Sequence, residues 1–213
     1  MQAHSHKHFM VVFFLILLSF SVTTYVVIMG YTATIDRYVI EKIIPTHTES
    51  LTAAMQFFSF IGDIVPAVII SLICIMIIYL TYKKWQEVFL FIAVMIGSTA
   101  LNTFTKWMIK RERPESTFVY EAGFSYPSGH TMAAMSLYGI IIFLFWKHTR
   151  HAVARVSILV FGITMIVTIA FSRLYLGVHY ISDIIGGVLL SGLWLYVTIY
   201  VYQYLIEKQS EES

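Results

Sequence analysis

Six stretches of this chain carry no charged residue: Phe9 to Gly30, Ile64 to Tyr82, Val88 to Thr105, Thr131 to Trp146, Val156 to Ser172 and Ile184 to Leu205. Crossing a bilayer takes about 20 apolar residues in a helix, so the shorter runs are expected to extend into their neighbours. On that reading His179 to Asp183 form the first turn of the last helix. The first run exceeds the roughly 7 to 15 residues of a signal-peptide core, and no small-x-small cleavage pattern closes it, so it reads as a retained span.

Between the first two runs lies a more polar stretch, Tyr31 to Asp63. After Pro45, the residues Leu51, Met55, Phe58 and Ile61 recur at helical spacing, which favours an interfacial amphipathic helix over an ordinary surface loop. No internal repeat or second domain is visible. The fold class expected is all-α, a single polytopic domain over residues 1–213 with about six transmembrane helices.

Composition agrees with this pattern. Of the 213 residues, 58% are hydrophobic and 12% charged, against about 25% charged in an ordinary soluble domain. The formal net charge of +2 is too small to imply a nucleic-acid partner, and no obligate protein partner is indicated. Cys74, the single cysteine, has no second thiol for a disulfide or a metal site; it is either lipid-facing or packing filler. The Lys and Arg residues divide seven and seven between the two faces that six spans define. Setting aside Lys106, Arg113 and Arg173 as held for chemistry leaves four on that side. The positive-inside rule then puts both termini in the cytoplasm of the cell membrane and the opposite face outside.

Parity brings three polar segments together. The end of span three, the start of span four, the end of span five and the start of span six all emerge on one face. That face receives Lys106, Arg113, Ser128, Gly129, His130, Arg173, His179 and Asp183. In the first segment, Pro114 disfavours helix at Arg113, which lets the guanidinium fold back over the helix end bearing Lys106. Arginine offers a planar fork of donors for phosphate oxygens, and lysine adds a point charge. Lys110 and Arg111 either contact anionic headgroups or form a solvated basic loop. In the second segment Ser128 is a candidate N-cap, and Gly129 lets an anion approach free N–H groups at the helix start. In the third, Asp183 can orient His179 through one ring nitrogen and leave the other lone pair free to attack. Metal sites and buried polar pairs use the same spacing, but three cations on this face favour an anionic substrate, so no metal and no cofactor is expected.

The pattern Lys106-x6-Arg113-Pro114, Pro127-Ser128-Gly129-His130 and Ser172-Arg173-x5-His179-x3-Asp183 resembles the signature of the type 2 phosphatidic acid phosphatase superfamily, which also includes the vanadium haloperoxidases. The six-span layout is similar to its bacterial phosphatidylglycerophosphatase B and undecaprenyl pyrophosphate phosphatase branches. The resemblance implies a metal-independent lipid phosphate phosphatase. It implies His179 as a nucleophile forming a phosphohistidine, Asp183 as its orienter and His130 as general acid. Lys106, Arg113, Ser128, Gly129 and Arg173 would hold the phosphoryl oxygens. The substrate would be a membrane lipid phosphate: phosphatidylglycerophosphate, phosphatidic acid or undecaprenyl pyrophosphate. Phosphotransfer to another acceptor would use the same phosphohistidine, whereas an anion or lipid transporter would want ionisable residues at mid-membrane.

Several other residues are open to two readings. His4, His6 and His8 suit a short mobile tail better than a loose metal site. Trp85, Trp107 and Trp146 fall at helix ends as interfacial anchors do, while Trp194 sits mid-span. Tyr120, Phe124 and Tyr126 line a lipid entrance or sit in the interface. Gly186-Gly187 suits close helix packing rather than chemistry.

Overall fold

The structure, a computed structural model, describes residues 2–115 and 118–212. Among the described residues eight α-helices follow one another: α1 (Gln2–Ile28), α2 (Ala33–Ile43), α3 (Glu49–Ile61), α4 (Ile64–Tyr82), α5 (Trp85–Ile109), α6 (Gly129–His148), α7 (Ala152–Tyr175) and α8 (Ile181–Glu212). A 3-10 turn over Ile44–Thr46 joins α2 to α3. Six helices are long and apolar enough to cross a membrane: His6–Ile28, Ile64–Tyr82, Trp85–Ile109, Gly129–His148, Ala152–Tyr175 and Ile181–Lys208. They correspond to the six uncharged runs.

Helix α6 is the centre of the bundle, packed against α5, α7 and α8, while α1 lies along α8 and α3 along α7. The core consists of Phe91 and Val94 from α5, Leu137 and Ile140 from α6, Ile169 from α7 and Leu195 from α8. Gly97 lets α5 and α8 close up, because a Cβ there would fall 2.2 Å from the Trp194 ring. Trp194 in turn donates its indole N–H to the Ala93 carbonyl at 3.1 Å, which accounts for a tryptophan in mid-span. Cys74 is half-buried and packs on the same core.

Outward-facing positions are apolar. Phe14, Leu15, Leu18 and Val22 on α1 and Leu72, Met76 and Leu80 on α4 are exposed. Such surfaces suit hydrocarbon, where the helix satisfies its own backbone groups. Trp85, Trp107 and Trp146 are exposed at helix ends, as anchors should be.

The stretch between the first two spans is more ordered than its sequence suggested. The amphipathic helix after Pro45 is α3, opened by Thr48, whose side chain accepts from Leu51 N. Leu51, Met55 and Phe58 pack on Tyr175, Leu176 and Val178, while Phe57 and Phe60 stay exposed. Helix α2 was not foreseen, and its one buried residue is Asp36. The histidines near the start are likewise not in a tail: His6 and His8 lie on α1, and His6 Nδ1 is 2.8 Å from the Tyr200 hydroxyl. The side chain of His4 lies outside the described residues.

Candidate active site

The geometry begins with where three helices stop. Helix α5 ends at Ile109 and the chain turns away through Lys110 in the left-handed region (φ 51°), its N–H returning to the Lys106 carbonyl. Lys106 thus stands on the last turn. Helix α7 ends at Tyr175, with Arg173 on its last turn and Gly177 at φ +69°, a conformation that glycine adopts without strain. Helix α8 begins only at Ile181, so His179 precedes it and does not share a helical face with Asp183. The expectation of a helical i, i+4 pair is corrected here. Asp183 instead stands three residues after Tyr180 and reaches back to accept its N–H at 2.9 Å, the carboxylate half of a capping box.

The His179–Asp183 pair forms all the same. His179 Nδ1 lies 3.3 Å from Asp183 Oδ2, and its other nitrogen, Nε2, lies 3.0 Å from Arg113 Nη1. An ionised carboxylate only accepts and a guanidinium only donates. The ring must therefore carry its hydrogen on Nδ1 and its lone pair on Nε2. Burial pushes the His179 pKa down to about 4, helped by Arg113 and Lys106 and opposed by Asp183. The imidazole is neutral at physiological pH.

Asp183 is held by a residue that the sequence left ambiguous. Arg111 Nη1 donates to Asp183 Oδ1 at 2.6 Å and Arg111 Nη2 to Asp36 Oδ2 at 2.7 Å. Ser182 adds its N–H and hydroxyl to Asp36. Arg111 is thus neither a headgroup contact nor a solvated loop residue. It ties α2 to the start of α8 and fixes the orienting carboxylate.

Around the histidine the cations converge. Lys106 Nζ donates to the Phe124 carbonyl at 2.7 Å, and Arg113 donates to the Val178 and Gly123 carbonyls at 3.0 and 3.2 Å. Arg113 also meets Glu121 Oε2 at 3.1 Å. Arg173, 1% exposed, donates to Ser59 and to Glu121, while its Nε has no partner among the described residues. The Glu121 carboxylate therefore sits between two guanidinium groups, where an anion belongs. Burial raises its pKa, but Arg173, His130 and Arg113 outweigh this and hold it below the usual carboxylate range.

The second segment behaves as expected at its cap. Ser128 precedes α6 and its Oγ accepts from Thr131 N, with its own N–H donated to the Asp183 carbonyl at 3.1 Å. Gly129 opens α6 against Asn102, whose Nδ2 donates to the Pro127 carbonyl. Tyr126 is fully buried, so it is a packing residue rather than part of an entrance. Its ring fills the space that a Cβ on Gly186 would need, and its hydroxyl meets Thr24 Oγ1 at 2.9 Å. Gly187 similarly abuts the Ser128 carbonyl, so the glycine pair packs α8 beneath the cradle. Tyr120 is 92% exposed.

His130, on the first turn of α6, directs Nε2 to Asp63 Oδ1 at 2.7 Å. Asp63, Glu121 and His130 bring one ligand atom each within 4.8 Å of one another. By donor type these three residues fit a divalent cation. Glu121 is already paired with two arginines, however, whose charge opposes a cation at the same place. A cavity of about 360 Å³ opens beside them between α4, α5 and α6, with Ile64, Ser98, Thr99, Asn102, Glu121 and His130 among its walls.

This arrangement has a known class. Residues 87–207 match the PAP2 superfamily, and the chain belongs to it. Among curated proteins it is 34% identical over 123 residues to phosphatidylglycerophosphatase B of Bacillus subtilis (strain 168), a match covering 55% of this chain and 59% of that one. It is 33% identical over 95 residues to lipid phosphate phosphatase delta of Arabidopsis thaliana, covering 41% of this chain and 22% of that one. The chain thus spans less than two thirds of the length of either relative. Among solved structures, a transmembrane PAP2-type phosphatidylglycerolphosphate phosphatase from Bacillus subtilis superposes with a TM-score of 0.83 at 24% identity, covering 89% of this chain and 94% of that one. Aquifex aeolicus LpxE superposes with a TM-score of 0.59 at 16% identity, over 76% and 93% of the two chains. The matched family region holds all three polar segments and leaves Asp36, Ser59 and Asp63 outside it.

Proposed function

We propose that this protein hydrolyses the phosphate of a membrane lipid, through a phosphohistidine on His179 and without a metal ion. The observation that carries the reading is the state of His179: a neutral ring with Nδ1–H on Asp183 and the Nε2 lone pair turned toward the guanidinium of Arg113. In the first step Nε2 attacks phosphorus in line with the ester oxygen; the N–P bond forms and the P–O bond breaks. His130 gives its proton to the departing alkoxide. Water then attacks phosphorus, His130 takes its proton, and the N–P bond breaks to release phosphate and restore His179. Lys106, Arg113, Arg173, the Ser128 hydroxyl and the Gly129 N–H hold the three phosphoryl oxygens as charge develops. Glu121 must leave the arginines when the phosphate arrives.

Membership of the PAP2 superfamily and the names of the curated relatives favour a lipid phosphate as substrate. The cavity beside His130 opens between apolar helices, a route suited to a substrate whose phosphate is anchored by acyl or prenyl chains. The candidates are phosphatidylglycerophosphate, phosphatidic acid and undecaprenyl pyrophosphate, and the Lys/Arg distribution favours reaction on the extracytoplasmic face with both termini inside. The test is a panel of these three lipids assayed for inorganic phosphate with excess chelator and no added acceptor, wild type against His179→Ala. At least one lipid should turn over, and the variant should lose about 10⁴-fold or more of kcat. Abolition by chelator, or full activity in the variant, would overturn the mechanism. Dependence on an added alcohol acceptor would point to phosphotransfer instead.

A further inference from the structure

His130 has a partner that none of the three polar segments supplies. Asp63 stands at the N-cap of α4 with an extended backbone (φ −69°, ψ 161°). An aspartate there ordinarily accepts an N–H from the first turn, a bond worth about 1 kcal/mol. Asp63 makes no such bond. Its carboxylate reaches across to His130 Nε2 at 2.7 Å.

The residue beside it points the same way. Gly62 closes α3 at φ −79°, a conformation open to any residue, so its backbone does not call for glycine. The space does: a Cβ at position 62 would come 3.0 Å from His130 Cδ2 and 2.7 Å from Ile169 Cγ2. The imidazole rests against bare backbone at Gly62 while the next residue grips its nitrogen. A cap is forgone and a side chain is omitted, both at the ring of one histidine; such local exceptions gather at functional sites.

We infer that Asp63 is a positioning residue for His130: the α3–α4 junction seats the ring and fixes which nitrogen serves the leaving group. This rests on the general-acid role proposed above for His130. A carboxylate on Nε2 keeps that nitrogen protonated and leaves Nδ1 to carry the proton that is given away and later recovered. The two histidines are then oriented through opposite nitrogens, His179 through Nδ1 by Asp183 and His130 through Nε2 by Asp63. The charged groups facing His130 are Asp63, Glu121 and Arg173. Of these Glu121 and Arg173 are paired with each other.

The test compares leaving groups in the full-length protein. Asparagine caps helices as well as aspartate does, so Asp63→Asn should fold. Against an alkyl phosphate, whose alkoxide needs a proton, Asp63→Asn is expected to lower kcat/KM about 10- to 100-fold. Against a nitrophenyl phosphate, whose phenolate leaves without one, the loss should be within about threefold. Asp63→Glu should recover part of the alkyl-phosphate rate. His130→Ala serves as the reference: if it shows no leaving-group dependence, the general-acid reading fails. If it shows that dependence and Asp63→Asn does not, the positioning role fails alone. Equal loss on both substrates, or turnover of the wild type restored by Mn²⁺ or Zn²⁺ after chelation, would make Asp63 a structural residue or a metal ligand and overturn the inference.

Discussion

The two ends of this helix bundle each bury charge, and they do so in opposite ways. At the end away from the candidate active site, Glu87 on the first turn of α5 is fully buried. Lys147 Nζ donates to its Oε1 at 2.8 Å and His148 Nε2 meets its Oε2 at 2.7 Å, while the His148 ring stacks on Tyr82. Tyr202 closes the group from α8. Each carboxylate oxygen there has a charged or ring N–H partner. At the other end, Lys106 and Arg113 lean on backbone carbonyls, and Arg113 and Arg173 share the carboxylate of Glu121. One end is a finished ion pair and stabilises; at the other, the three cations Lys106, Arg113 and Arg173 stand around the single carboxylate of Glu121, an arrangement that favours an arriving anion.

The sharpest way to break this comparison is at Arg111, the one arginine of the active end whose charge is fully answered. Arg111→Met leaves Asp36 and Asp183 buried without their cation, a change that costs about 3 to 5 kcal/mol. It also frees the carboxylate that orients His179. Turnover should fall about 10- to 100-fold together with a lowered unfolding temperature in detergent. Lost stability with unaltered kcat in the folded fraction would make Arg111 a clamp only, like Lys147.

A second test uses pH. With a pKa near 4 in place of 6.5, His179 stays neutral as pH falls through the ordinary histidine range. An unperturbed imidazole would be only about one tenth neutral at pH 5.5. After allowance for ionisation of the substrate phosphate, kcat/KM between pH 7 and 5 should therefore not show the roughly 25-fold loss that an ordinary histidine nucleophile would impose. A full limb centred near 6.5 would mean that the nucleophile is not buried as described.

The candidate site was legible in the sequence, because it is built from short segments whose spacing carries meaning by itself. Lys106, Arg113, His130, Arg173 and Asp183 each stand next to a proline, a glycine or the edge of an uncharged run, and His179 lies two residues beyond Gly177. The partners that hold them were not legible. Asp36 lies 75 residues from Arg111, and Asp63 lies 67 residues from His130. Only the path of α2 and α3 around α7 brings either into reach, and no local periodicity encodes that path. The α8 boundary failed for a different reason: Leu176, Val178 and Tyr180 continue the apolar pattern while Gly177 turns the backbone, so hydropathy runs on where the helix does not. Helix α2 was hidden by β-branched residues, Thr34, Ile35, Val39 and Ile40, which lower helix propensity without preventing a helix that packs.

Glu121 marks where the two ends most nearly agree, since it gives the active end a carboxylate of its own. In the mechanism proposed above it is a rival for the site that phosphate must enter. Glu121→Gln removes the rival charge while keeping the shape. Binding to a partly occupied site is weakened by the fraction that is blocked, so the inhibition constant of inorganic phosphate or vanadate should fall about three- to tenfold. A rise instead would mean that Glu121 holds the arginines in place for the substrate.

The smallest effect on chemistry is expected at the finished end, and it is the control on which the contrast depends. Glu87→Gln preserves the size of the side chain and a carbonyl oxygen for Lys147 but removes the charge that answers it and His148. The cost should appear as stability, about 1 to 2 kcal/mol for charge-assisted hydrogen bonds lost by a cation that is itself partly exposed, read as a lowered midpoint of thermal unfolding. The pair joins the start of α5 to the end of α6, and α5 and α6 also carry Lys106 and His130 at their other ends. If packed helices transmitted every disturbance along their length, kcat would drop as well. The core between the ends, Phe91, Val94, Leu137, Ile140 and Ile169, is continuous and fully or almost fully buried, and should absorb the change. Unchanged kcat at a temperature below the new midpoint would establish the two clusters as independent, one holding the bundle closed and the other held open for phosphate.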